Sequence, residues 1–247
     1  MIEFVDIYKK LNHHSVLKGI SFKIKPCSVH MIIGASGVGK SVLMKMVVGL
    51  MQPDTGQVLL DQEPINNQPE SFYLRIRKKC GMVLQHAALL DSMDVKDNMI
   101  APLMSVHAWS YHAAKKRAVQ ALEDVGIAST LYQKKPYELS EGIKKRIAIA
   151  RALALQPSYL IYDEPTTALD PESARKIDAL IKHTSQAQHM TSIVISHDKM
   201  SVWSIADNIT LLAHGEVAFN GDKNAFYKST QDVIKPYQYC FGHKLNT

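Results

Sequence analysis

The chain has 247 residues, 46% of them hydrophobic and 21% charged. That is enough to bury a sizeable core as one large domain, or as a domain with a subdomain, and it is the composition of a soluble globular protein. No run approaches the ~20 apolar residues of a membrane span, and the start, Met1 to Asp6, lacks the basic character of a signal peptide. Cys27, Cys80 and Cys240 are odd in number and scattered, which fits a reducing compartment better than a disulfide framework or a zinc site. A net charge of +6 suits nucleic acid or an anionic membrane face and decides between neither.

In chain order, residues 1–8 and 16–25 read as strands, and 29–33 as a short buried strand. The stretch Gly34-Ala35-Ser36-Gly37-Val38-Gly39-Lys40-Ser41 follows, and then a helix over 42–51 with Leu43, Met46, Val47 and Leu50 on one face. Strand, glycine-rich turn and helix form the context of a P-loop. Glycines let backbone N–H groups curl round an anion, and the helix N-terminus adds partial positive charge. Lys40 brings a point charge to the β- and γ-phosphates, and the Ser41 hydroxyl is placed to ligate Mg²⁺.

A turn at 53–56 leads to a strand over 57–60, and a further strand over 81–85 ends in the amide Gln85. The texture is helical from about 91 to 155 and includes a helix over 110–125 whose Lys115, Lys116 and Arg117 read as a solvated face. Leu139-Ser140-Glu141-Gly142-Ile143-Lys144-Lys145-Arg146 opens another helix, with Ser140 as its expected N-cap and a phosphate-binding end. Strands return at 159–162 and 192–196, with a helix over 171–183 between them. The alternation implies an α/β fold with a mostly parallel sheet flanked by helices, into which the helical block is inserted. The strand before Asp163-Glu164 delivers Asp163 to the sheet edge where the P-loop lies, placed to hold Mg²⁺, and Glu164 to the water that attacks the γ-phosphate. His13, His14, His107 and His112 lack metal spacing and read as surface residues.

The P-loop, Gln85, Leu139-Ser140-Glu141-Gly142, Asp163-Glu164, Ala168-Leu169-Asp170 and His197 occur in the order of an ABC-transporter nucleotide-binding domain, which the sequence resembles from about residue 2 to 226. The resemblance implies a RecA-like P-loop NTPase with an N-terminal antiparallel β region. It also implies one ATPase domain: a nucleotide-binding core at 1–86 and 156–222, a helical subdomain at 87–155 and a tail at 223–247. ATP and Mg²⁺ are the implied cofactors, with Gly34 to Ser41 cradling phosphates and Ser41, Gln85 and Asp163 around the metal. Glu164 resembles the general base, His197 the switch histidine, and Asp170 the link between two sites. Ser140 and Gly142 would complete the site of a second copy, giving a homodimer with two ATP molecules. The implied partners are integral membrane permease subunits, with no nucleic acid, at the cytoplasmic face of the cell membrane.

Three departures stand out. Glu141 and Ile143 replace a glycine and a glutamine usual in the family's Leu-Ser-Gly-Gly-Gln, and a carboxylate near a γ-phosphate is repulsive unless it points away. The adenine-stacking aromatic is absent from its place, where Lys10 or Leu11 sits, and Tyr8 lies about one turn early. The tail also continues past the minimal domain, and its 232–235 and 239–242 segments are expected to meet a partner subunit.

One P-loop and no sustained heptads set aside the soluble translation and chromosome ATPases of the superfamily. Residues 83–98, Pro102-Leu103, 204–207 and Phe241-Gly242 resemble Mla/Mce-type phospholipid transport ATPases. That likeness implies lipid transport with an Mce-type substrate-binding protein in the complex. An amino-acid or other small-solute importer, and a cell-division or lipoprotein-release ATPase, are the alternatives. Ala88, Leu89, Met93 and Val95 are expected to form an apolar docking face for the permease, with Asp91 and Asp94 beside it.

Overall fold

Residues of β3 (Val29–Gly34) are buried on both sides of the strand, which explains why its sequence is a continuous apolar run and not an alternating one. Val29, Met31 and Ile33 join one hydrophobic cluster, and Ile32 joins the other. The same division recurs along β7 (Tyr159–Asp163) and β8 (Thr191–Ile195). A central sheet with cores on both faces follows.

The computed structural model describes residues 1–238. Its larger sheet has the order β10-β9-β3-β8-β7-β6, where β6 is Cys80–Val83, β9 is Asn208–Ala213 and β10 is Glu216–Asp222. All neighbours are parallel except β9 and β10, which form an antiparallel hairpin. The smaller sheet is antiparallel, in the order β2-β1-β4-β5: β1 Ile2–Leu11, β2 His14–Ile24, β4 Thr55–Leu60 and β5 Glu63–Pro64. Its inner face packs with α1 (Lys40–Val47) against one side of the central sheet through Phe4, Leu17, Phe22, Leu43 and Met46.

After α2 (Glu70–Lys79) and β6 comes a helical layer: α3 (Val95–His107), α4 (Tyr111–Asp124) and α5 (Glu141–Ala154). Its alanines explain how closely the three helices pack, since Ala114, Ala118, Ala121, Ala148, Ala150 and Ala154 are all buried. The chain continues through β7, α6 (Pro171–Ala187), β8, α7 (Lys199–Ile205), β9, β10, α8 (Lys223–Lys228) and α9 (Lys235–Gln238). Among the described residues no helix is long and apolar enough to cross a membrane.

Several expectations need correction. The helix after the P-loop ends at Val47, and Leu50 is 62% exposed, not part of the buried face. β6 stops at Val83, so Gln85 belongs to the loop beyond it. Val95 is fully buried, Leu89 packs partly on the core and Met93 is half-buried, so of the expected docking face only Ala88 is exposed. Asp94 is the N-cap of α3, accepting from Asp97 N at 2.7 Å. Arg117 is not on a solvated face: its guanidinium caps the end of α5, donating to Ala154 O at 3.2 Å and Leu153 O at 3.0 Å. His107 stacks on Trp109 at 5.3 Å and bonds Leu155 O through Nε2, so it is no free surface residue. Ile234 of the tail is buried in the chain's own core and unavailable to a partner, while 239–242 lie outside the described residues.

Candidate active site

The turn from β3 into α1 is shaped by backbone that only glycine accepts. Gly34 sits at φ 150°, and a Cβ there would lie 2.4 Å from Leu212 O of β9. The N-terminus of α1 begins at Gly39 with no side-chain cap, which leaves its first N–H groups facing the loop's concavity. Lys40 is only 7% exposed, and its Nζ donates to Gly34 O and Ala35 O, both at 2.9 Å. Burial lowers its pKa, while the carboxylates of Glu164 and Asp163 act in the opposite sense.

Two further strands bring side chains to this loop: β7 the carboxylates and β8 a histidine. Asp163 ends β7, two strands from β3, and its Oδ1 accepts from Ser41 Oγ at 3.2 Å. Burial raises the Asp163 carboxyl above its ordinary range, against the Ser41 hydrogen bond, with Glu164 adding to the rise. Glu164 takes φ 50°, a left-handed conformation unusual for a side chain of its size. The turn is held by Glu164 N donating to Ile195 O at 2.9 Å. Glu164 Oε2 then bonds His197 Nδ1 at 2.8 Å and accepts from Thr167 Oγ1 at 3.3 Å. His197 follows β8 by two residues, so adjacent strand ends build this pair.

One cavity of about 550 Å³ joins these groups. It is lined by Ser36, Gly37, Gly39, Lys40 and Ser41 of the loop and helix start, by Asp163, Glu164, Thr167 and His197, and by Gln85. Leu11 and Val16 of the β1–β2 hairpin line the outer end. Tyr8 is not among the lining residues; it is 48% exposed and covers Gly19, where a Cβ would meet its hydroxyl at 2.9 Å. An apolar Leu–Val edge stands at the place from which the family's aromatic ring is missing, as the sequence indicates.

Ser140, Gly142 and Asp170 lie apart from this cavity. Ser140 and Gly142 line a separate cleft with Ile143, Arg146, Ser173, Lys176 and Ile177. Ser140 has the extended backbone of an N-cap, but its hydroxyl makes no capping bond, contrary to expectation. The start of α5 therefore has no side-chain cap, and Ser140 is exposed. Glu141 is paired with Lys144 at 2.8 Å, which offsets the repulsion that its carboxylate would otherwise exert. Asp170 caps α6, accepting from Glu172 N at 3.0 Å and Ser173 N at 2.9 Å.

Sequence reasoning did not single out Lys145, Arg151 or Thr167. Lys145 is 2% exposed, and a periodic signal for it existed: Lys145, Ile149 and Ala152 recur at helical spacing and are all buried.

An uncapped helix behind a glycine loop, a buried lysine at its start and a carboxylate pair at the end of β7 define a P-loop nucleotide-binding ATPase domain. A family model described as ABC transporter matches residues 17–167. The chain is 36% identical to a methionine import ATP-binding protein, MetN, of Clostridioides difficile, over 95% of this chain and 73% of that protein. It is 33% identical to the MetN of Rhizobium johnstonii, over 97% of this chain and 66% of its relative. Among solved structures, the ATP-binding cassette MJ0796, a dimer in a post-hydrolysis state bound to ADP and Pi, superposes with a TM-score of 0.81 at 30% identity, covering 90% of this chain and 98% of that one. CbiO1 of Clostridium perfringens, part of an ABC transporter complex cbiONQ, gives a TM-score of 0.85 at 29% identity, covering 99% of this chain and 95% of its own. The chain belongs to the ABC transporter family and has its ATPase cassette fold. The two MetN relatives, each matched over nearly the whole of this chain, are methionine import proteins and not phospholipid ATPases, which favours the small-solute alternative over lipid transport.

Proposed function

We propose that this chain is the ATP-hydrolysing subunit of an ABC importer for a small solute of the methionine class. It would work as a homodimer beneath integral membrane permease subunits, at the cytoplasmic face of the cell membrane. The observation that carries the reading is the Glu164–His197 pair, 2.8 Å apart, facing the P-loop across one cavity. Similarity to methionine import proteins over nearly the whole chain supports the solute class. The phospholipid reading rests on local likeness at residues 83–98, Pro102-Leu103, 204–207 and Phe241-Gly242, and the Mce-type partner rests on it in turn. Functionally, the chain divides into a core (1–86 and 156–222), a helical unit (87–155) and a C-terminal segment (223–247).

In this reading the N–H groups from Gly34 to Ser41 bind the phosphates and Lys40 leaves its two carbonyls for the β- and γ-phosphates. Leu11 and Val16 take the base by apolar contact. Ser41 and Asp163, with Gln85 across the cavity, suit Mg²⁺, which takes few protein oxygens and keeps several waters. When bound, Mg²⁺ neutralises charge on the phosphates. Glu164 accepts a proton from the attacking water. His197 holds that carboxylate through Nδ1 and offers its second ring nitrogen to the γ-phosphate. Asp170 links this site to that of the second copy.

The test is reconstitution with candidate permeases in liposomes carrying labelled methionine and labelled phospholipid. ATP-driven accumulation of methionine, abolished by Lys40→Met, is expected. Movement of phospholipid with no movement of amino acid would overturn the solute assignment.

A further inference from the structure

Residues 84–88 begin the connection from β6 to the helical layer and contribute Gln85 to the nucleotide cavity. The connection is neither strand nor helix, and Leu84, Gln85, His86 and Ala88 are exposed, so little apolar burial fixes it. Its carbonyls are held from elsewhere. Lys145 Nζ donates to Leu84 O at 3.0 Å and also to Gln85 O. Arg151 donates to Ala87 O at 3.1 Å and to Ala88 O at 2.9 Å. Both cations project from α5, the helix that starts immediately after Ser140.

We propose that Lys145 and Arg151 staple the Gln85 loop to α5, so that Gln85 takes its position from the helix carrying Ser140 and not from the sheet it follows. Charge-assisted bonds are roughly twice as strong as neutral ones, and four of them span five residues here. Burying the Lys145 ammonium is costly, and desolvation lowers its pKa, with the charges of Glu141, Asp163 and Glu164 opposing. Carbonyl ligands and these nearby carboxylates offset that cost. Neither Lys145 nor Arg151 lines the nucleotide cavity. They are positioning residues.

The consequence is mechanical. When α5 rotates against the central sheet, the staple carries Gln85 into or out of the cavity. With Ser140 serving a second copy's nucleotide, as proposed above, one motion sets Gln85 at one site and Ser140 at the other. The inference rests on that reading for its functional meaning, but the staple itself is testable without it.

Spin labels at His86 on the loop, Lys116 on α4 and Glu216 on β10 separate the alternatives, on a background carrying Cys27→Ser and Cys240→Ser. Because Arg117 caps α5, α4 reports the position of that helix. In the full-length chain, a non-hydrolysable ATP analogue is expected to change the 86–216 separation and leave 86–116 constant. A constant 86–216 separation, or a changed 86–116 one, overturns the staple. Lys145→Met is expected to broaden the 86–116 distribution and lower kcat for ATP about 10- to 100-fold, the cost of a misplaced group, with KM unchanged. Lys145→Arg, which keeps a donor cation, restores both. Unaltered kcat and an unaltered distribution in Lys145→Met likewise overturn it. If Lys145→Met does not fold, the nucleotide comparison in the unmodified chain decides alone.

Discussion

Glu164 occupies a left-handed backbone position immediately after a buried strand, and its carboxylate is already engaged by His197 and Thr167. Strain of this kind costs about 1–3 kcal/mol and persists where the surroundings over-determine it. Here Glu164 N is tied to Ile195 O at 2.9 Å. Replacing the carboxylate with an amide keeps the shape and removes the proposed base. Glu164→Gln is therefore expected to bind ATP and lose about 10²- to 10⁴-fold in turnover. Steady-state ATPase assays on the assembled complex, beside a nucleotide-binding titration, check this, and turnover at the unmodified rate would remove Glu164 from the role. A second residue makes its own prediction. Asp178 on α6 is 5% exposed, with Oδ1 unpartnered and Oδ2 accepting from Ser204 Oγ at 3.3 Å. Burial pushes its carboxyl up to about 6, with Asp198 adding to the rise and the hydroxyls of Ser201 and Ser204 opposing it. Since the folded value lies above the unfolded one, the stability of the protonated form is fully present below the ordinary carboxylate range. It is lost as pH rises through about 6. Asp178→Asn should then stabilise the chain at pH 7.5 by about 2–3 kcal/mol, or about 5–10 °C in Tm, and make no difference near pH 4. Thermal melts at the two pH values decide it.

At the scale of elements, sequence and structure part company for identifiable reasons. Leu43, Met46, Val47 and Leu50 keep a helical period, but Gly49 at φ 69° closes α1 before Leu50. Leu50 N and Met51 N turn back to Lys45 O at 2.8 and 3.2 Å. A Cβ at Gly49 would strike the Tyr73 ring at 2.1 Å, so the stop is also where α2 docks. Here the glycine cap outweighs the period. β9, β10 and α2 escaped the reading altogether. The two strands are joined by the two-residue turn His214-Gly215, whose hairpin signal was present. α2 buries little more than Tyr73 and Ile76, too few positions for a period to show. The nucleotide elements were legible because their chemistry is local: a loop that curls round an anion needs glycines, a lysine and a hydroxyl in consecutive positions. Lys145 and Arg151 were not legible as partners of the Gln85 loop, because backbone carbonyls accept from a cation whatever their side chains are. Nothing in residues 84–88 records who holds them. The absence of a ring at residue 11 was visible in advance, yet its replacement by a Leu11–Val16 edge required the hairpin to be seen closed over the cavity.

For the whole molecule, the separation of the two polar regions sets the strongest constraint. The P-loop cavity contains Lys40, Ser41, Asp163, Glu164 and His197, whereas Ser140 and Gly142 open into a cleft shared with Ser173 and Lys176. The residues of the second cleft do not line the first. Yet the start of α5 offers uncapped N–H groups and a free hydroxyl, the features of an anion-binding helix end. A catalytic unit that uses both regions on one nucleotide must draw them from two chains related by symmetry, each giving the other its Ser140 surface. The uncapped end of α5 favours this arrangement over a monomeric enzyme, which would leave it without a role. Complementation supplies the test. Lys40→Met chains lose the cavity's cation, and Ser140→Arg chains present a bulky side chain to their partner's site; each alone should show little ATPase activity. Mixed in equal amounts, half the dimers pair one of each, and each such dimer holds one composite site with both elements intact. Recovery of about a quarter of the unmodified activity is expected if the two sites act independently. A mixture as inactive as its components, with heterodimers demonstrated by cross-linking, would show instead that a single composite site cannot turn over and that hydrolysis requires both. Full ATPase activity from a chain held strictly monomeric would defeat the two-chain site outright.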